Sequence, residues 1–172
     1  MTSAYEKKIQ ELSDIAEHLA WITAHARGKV MEIGVREGRS TAAILMGLAR
    51  NGGHLWSIDK ENYGDLYCDS HWTFIQANSL TESERILDAT NMKSNHLWID
   101  LLLIDGDHTY AGCLSDLTNF GRYAKIIAIH DTNSEWLGVW QAVTEYFRSP
   151  FSGTFRRAEF RNKSNGLGVL YR

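Results

Sequence analysis

Val30-Met31-Glu32-Ile33-Gly34-Val35-Arg36-Glu37-Gly38-Arg39-Ser40-Thr41 passes from a short apolar run, through two glycines four residues apart, into a stretch of helical character from Ser40 to Arg50. Ser40 suits the cap of that helix. A strand feeding a helix through a tight glycine turn is the opening unit of an α/β sheet. The spacing excludes two common versions of this turn. No G-x-G-x-x-G can be drawn, and the Gly-Lys-Ser/Thr of a phosphate loop is absent. The charges agree: Glu32 and Glu37 would repel a pyrophosphate but suit a ligand bearing ammonium and sulfonium charges.

Outward from this turn the pattern repeats. Apolar runs at His54–Asp59, Trp72–Gln76, His96–Asp105 and Ala124–His130 alternate with helical stretches at Ser83–Asn91, Tyr110–Phe120 and Trp136–Arg148. Runs apolar on both faces, separated by helices, predict a parallel sheet covered on both sides. Thr154–Arg161 and Gly166–Tyr171 flank Asn162-Lys163-Ser164-Asn165, a hairpin signal. At the other end, Ile9, Leu12, Ala16, Leu19 and Ile22 recur at helical steps, predicting one amphipathic helix from Ser3 to about His25 that Gly28 closes and that packs on the core. The expectation is a single doubly wound α/β domain over residues 1–172, its sheet mostly parallel and ending in an antiparallel hairpin.

The 172 residues, 44% hydrophobic and 23% charged, are ordinary for one soluble domain that needs no metal or disulfide to hold a core. Runs such as Leu101-Leu102-Leu103-Ile104 are too short to span a bilayer, and the first residues hold no apolar signal core. Two cysteines, Cys68 and Cys113, make no disulfide framework, and a cytoplasmic location is expected. The net charge of −3 is uneven: Arg148 to Arg172 holds six basic residues and one acid. A solvated strand pair carrying arginines accounts for this, since a nucleic-acid footprint makes a whole domain basic.

Ligands of open α/β sheets sit beyond the carboxyl ends of the strands. Those ends read Glu32 to Gly38, Asp59-Lys60, Asn78-Ser79, Asp105-Gly106-Asp107-His108 and His130-Asp131, and an acid or amide follows every run. Asp59 is placed to accept the hydroxyls of a ribose. Taken together, Glu-Ile-Gly-Val-Arg-Glu-Gly-Arg-Ser, Ser-Ile-Asp-Lys, Leu-Ile-Asp-Gly-Asp-His-Thr-Tyr and Ile-His-Asp-Thr resemble a class I S-adenosylmethionine-dependent methyltransferase of Rossmann-like fold. Within that class the chain is similar to the small-domain group near the macrocin and cephalosporin-type methyltransferase-like proteins, over about residues 28 to 172. The resemblance implies that Glu32, Gly34 and Gly38 line the methionine part of S-adenosylmethionine, with Ser40 near its carboxylate. It also implies that Asp59 holds the ribose flanked by Lys60, that Asn78 and Ser79 lie near the adenine, and that Asp105 faces the methyl-transfer region.

Methyl transfer needs an in-line, deprotonated nucleophile, so the protein contributes position and proton removal. Two routes are open in the sequence. In one, Asp105 and Asp131, with His130 or Asp107, hold Mg2+, whose charge lowers the pKa of an acceptor hydroxyl. In the other, His108 or His130 is a metal-free general base, with Asp107 beside it. The expected partner is a small-molecule or sugar methyl acceptor, with a homodimer completing the pocket. The competing readings are a catalytically silent cofactor-binding module and a nicotinamide-dependent oxidoreductase, the latter opposed by the missing third glycine. Elsewhere, Cys68-x-x-His71 is half a zinc motif without a second half. Trp72, Trp98, Trp136, Trp140 and Tyr146 read as packing. The Lys60–His71 loop suits either a lid or a surface connection.

Overall fold

The structure is a computed structural model that describes residues 4–91, 99–133, 135, 137–150 and 155–172. Its core is a seven-stranded sheet in the order β3-β2-β1-β4-β5-β7-β6, formed by β1 (Gly28–Ile33), β2 (Gly53–Asp59), β3 (Trp72–Gln76), β4 (Ile99–Ile104), β5 (Ala124–His130), β6 (Arg157–Arg161) and β7 (Leu167–Tyr171). β1 to β5 are parallel, and β7 is antiparallel to both β5 and β6. This is the expected Rossmann-like sheet with its antiparallel hairpin.

Strand alternation divides the apolar side chains between two faces. Met31, Ile33, Leu102, Ile104, Ile127 and Ile129 pack against α4 (Ser83–Ala89), α5 (Tyr110–Phe120) and α6 (Leu137–Arg148). Val30, Leu55, Leu101, Leu103 and Val169 pack on the other side against α2 (Leu19–His25) and α3 (Arg39–Asn51). Among the described residues, no helix is long and apolar enough to cross a membrane.

Three expectations need correction. The first helix is not continuous: α1 covers Ala4–Ile9, and after a break a 3-10 turn at Ala16–His18 leads into α2. Leu12, counted on its apolar face, is 94% exposed. The break turns the Asp14 carbonyl toward the His130 ring, 3.2 Å from Nε2, a long-range bond that helical periodicity does not register. Ser40 does not cap α3. Gly38, in the left-handed region at φ 77°, occupies the cap position, and Ser40 is buried in the first turn. Trp140 is 38% exposed and meets Phe160 of β6, ring centroids 4.7 Å apart, rather than entering the core; Tyr146 and Trp72 are buried as expected. Trp98 and Trp136 lie outside the described residues.

Four of the six basic residues from Arg148 to Arg172 have partners within the fold. Arg172 donates to the Ala124 carbonyl and stacks on Phe155, Arg161 lies over Trp21, Arg157 pairs with Glu159, and Lys163 reaches Glu17 at 3.4 Å.

Candidate active site

A cleft of about 530 Å³ opens where the strand ends converge. Gly34 to Arg36, Asp59 to Glu61, Ala77 to Leu80 and Asp105 to His108 line it. The backbone turn after β1 is fixed from three sides. Gly34 N–H donates to the Ile58 carbonyl at 2.9 Å, and Asp105 N–H to the Ile33 carbonyl at 2.8 Å. One Asp59 oxygen accepts the Val35 N–H at 2.8 Å, and the other accepts Glu61 N–H at 3.0 Å. Asp59 therefore shapes the first turn while lining the cleft. Lys60, Asn78 and Ser79 also line it.

Glu32, Gly38 and Ser40 do not line the cleft. Strand alternation sends Glu32 toward α3, where it is fully buried and accepts from Thr41 Oγ1 at 2.7 Å and Ser57 Oγ at 2.6 Å. Gly38 is covered by the Lys60–His71 segment, with Tyr67 donating to its carbonyl at 2.7 Å, so that segment is packed onto the first turn. Burial pushes the Glu32 carboxyl up to about 7, against the pull of the surrounding hydroxyls. A raised folded-state pKa means the folded chain holds this proton where the unfolded chain has lost it. Stability is therefore expected to fall as pH rises from about 4.5 to about 7, by on the order of 3 kcal/mol from this group. Glu32→Gln should lose correspondingly less between pH 5 and pH 8, measured by urea midpoints. Parallel pH curves for the two proteins would refute the assignment.

At the β4–β5 end the chemistry concentrates. Asp105, His108 and Asp131 each offer one ligand atom, all within 4.8 Å of one another. His108 Nδ1 is 3.0 Å from Asp131, and its Nε2 is 3.7 Å from Asp105. His130 Nδ1 lies 3.1 Å from Asp105 and 3.4 Å from Asp131. The two carboxylates hold the proton on His108 well above neutral pH, and on His130 they do so against the opposing effect of burial. Burial would raise both carboxyls, but the two imidazoles outweigh it and hold Asp131 far below its usual range and Asp105 below it as well.

The two histidines are placed differently. His130 was expected as a metal ligand and a base. Its Nε2 donates to the Asp14 and Ser164 carbonyls, at 3.2 and 3.0 Å, so of its two nitrogens only Nδ1, 3.1 Å from Asp105, is turned toward the acids. His108, expected only as a base, is instead the imidazole grouped with the two acids. Asp107 stands apart from this cluster. It accepts Thr109 N–H at 2.9 Å and shapes the start of α5.

The donor set fits a divalent cation. Two carboxylates and one imidazole suit Mg2+ or a first-row ion. Asp131 is fully buried, yet neither of its oxygens accepts a well-aligned hydrogen bond. The lining residues that the sequence reading does not single out include Asp14, hidden in the broken helix, and Gly112 and Asp116 on α5. Asp116 had a readable signal, an acid at the spacing of Cys113, Leu117 and Phe120 on a buried helical face.

Comparison with known proteins adds the following. The family described as a methyltransferase domain matches residues 31–132. No curated protein matches the chain significantly in sequence. Among solved structures, the MycE methyltransferase of the mycinamycin pathway, in complex with Mg, SAH and mycinamycin VI, superposes with a TM-score of 0.63 at 13% identity, over 90% of this chain. The chain spans about half of that protein, 47% of its length. An O-methyltransferase from Bacillus cereus in complex with SAH gives 0.66 at 13% identity, covering 100% of this chain and 83% of the other. SAH-bound PaMTH1 of Podospora anserina gives 0.58 at 13% identity, over 97% and 85%. At these identities the likeness is one of fold.

Proposed function

Because the chain belongs to the methyltransferase-domain family, we propose that it transfers a methyl group from S-adenosylmethionine to a hydroxyl oxygen of a small molecule or sugar. The observation that carries this reading is the grouping of Asp105, His108 and Asp131 beside the strand-end cleft. Asp59, at the end of β2, accepts from the ribose while holding the first turn. Asp105 and Asp131 would hold Mg2+ together with His108, and the bound ion supplies Lewis acidity that lowers the pKa of the acceptor hydroxyl.

This chain's own residues supply the rest. His130, protonated and tied to the Asp14 and Ser164 carbonyls, fixes the orientation of Asp105 and offsets part of the carboxylate charge. The two carboxylates favour the protonated form of His108, which opposes a metal-free base role, whereas a cation between the acids would take the place of that proton. The metal-assisted route is therefore the one this geometry favours. A densely built acid–imidazole cluster also argues against a silent module, which has no use for one.

A thermal melt tests the reading. At one hundred times Kd, a ligand adds about 2.7 kcal/mol, which raises the midpoint of a domain this size by roughly 5 to 10 °C. The rise is expected with S-adenosylmethionine and S-adenosylhomocysteine and not with NAD, with a further gain on adding Mg2+. A rise with NAD alone would overturn the cofactor, and one indifferent to Mg2+ would overturn the metal route.

A further inference from the structure

Asp116 is 1% exposed, lines the cleft, and has no well-aligned hydrogen bond to either carboxylate oxygen. Such a group costs free energy unless something supplies a donor. Burial pushes its carboxyl up to about 7; the Ser79 hydroxyl opposes this and the nearby Asp107 charge adds to it. Ser79 follows β3, at one end of the strand row, whereas Asp131 follows β5 on the far side of β1 and β4. Asp116 therefore lies on the β3 side of the cleft, between Ser79 and Asp107, and outside the acid–imidazole cluster. Gly112, one turn earlier on the same face of α5, also lines the cleft and has the Asp107 side chain packed against it.

We propose that Asp116 reads the exocyclic amino group of the cofactor's adenine and so determines which base the cleft accepts. The inference rests on the S-adenosylmethionine reading above. A ligand with its sulfonium at the β4–β5 end carries three kinds of donor. The ammonium is tethered close to the sulfur, and the ribose hydroxyls lie midway, where β2 presents Asp59. The adenine amino group is the donor farthest from the sulfur and the one that reaches the β3 end. A base with an oxo group at that position brings an acceptor to an acceptor.

Calorimetry with S-adenosylhomocysteine and its 6-oxo analogue, S-inosylhomocysteine, tests this on the wild-type chain, Asp116→Ala and Asp116→Asn. The wild type should prefer the amino ligand by roughly 10- to 100-fold, the size of a hydrogen bond to a charged or buried group. Asp116→Ala should lose that preference and some affinity for the amino ligand, and Asp116→Asn, whose amide can turn either its oxygen or its NH2 to the base, should lose most of the preference while keeping its affinity for the amino ligand. The ligand-free melting midpoint of Asp116→Ala should be unchanged or higher, because an unsatisfied buried group has gone; a purely structural role would lower it. Equal wild-type affinity for the two ligands overturns the inference while leaving the cofactor reading intact, and needs no variant to fold. Binding of neither ligand overturns both. Full preference retained in Asp116→Ala removes Asp116 alone.

Discussion

Asp131→Asn should leave S-adenosylhomocysteine binding within about twofold and lower kcat/KM by roughly 10²- to 10⁴-fold, the usual worth of positioned proton removal. Asp131 does not line the cleft, so cofactor affinity has little reason to change. The carboxylate does face both imidazoles, at 3.0 and 3.4 Å, and it is one of the three groups that can share a cation. Asparagine is the fair replacement. The residue sits at φ 58°, a left-handed conformation that Asn also tolerates, and the volume is kept. A shape-preserving change thus removes one charge from the centre of the cluster. Steady-state kinetics beside calorimetry would separate the two effects. Undiminished turnover with normal binding would take the cluster out of the chemistry.

Gly34→Ala should cost on the order of 3–5 kcal/mol, combining backbone strain with overpacking, out of the ~5–15 kcal/mol that holds a domain together. Gly34 has φ 91°, and a Cβ there would stand 2.2 Å from the Asp105 carbonyl oxygen and 2.5 Å from its carbon. Both are backbone atoms of the neighbouring strand end, so no rotamer can make room. The ends of β1 and β4 would have to part, and the bond from Asp105 N–H to the Ile33 carbonyl would go with them. Gly52 is the natural control. It too has positive φ, at 72°, but a Cβ there meets nothing within 4 Å. Its alanine variant should lose about 1–3 kcal/mol, the backbone cost of holding φ 72°, ψ 161° without a clash. Equal melting midpoints for the two variants would mean that the close approach at Gly34 does not matter.

Much of this molecule is legible in its sequence because two signals are local. Runs such as Leu101–Ile104, apolar on both faces, mark strands buried on both sides, and the acids and amides after them mark the strand-end cleft. Asp105, Asp131 and His108 could be singled out on that basis alone. Their grouping could not, because it depends on which way each ring turns. His130 is taken by carbonyls from the break before Ala16 and from the β6–β7 turn, contacts that no local pattern encodes. Glu32 shows the opposite failure. Its place beside Gly34 suggested a ligand contact, yet strand alternation turns it toward Ser57 and Thr41. Asp116 was missed because a single acid among Cys113, Leu117 and Phe120 reads as noise until the cleft is seen to reach it.

The place of β7 has a consequence for synthesis. β7 lies between β5 and β6, although it follows both in the chain. Until Leu167–Tyr171 is in place, one edge of β5 keeps its backbone N–H and C=O groups unpaired, and Arg157–Arg161 has no strand beside it. A bare strand edge is open to pairing with the wrong neighbour. β7, made after both of its neighbours, is therefore what shields the parallel part of the sheet from aggregation.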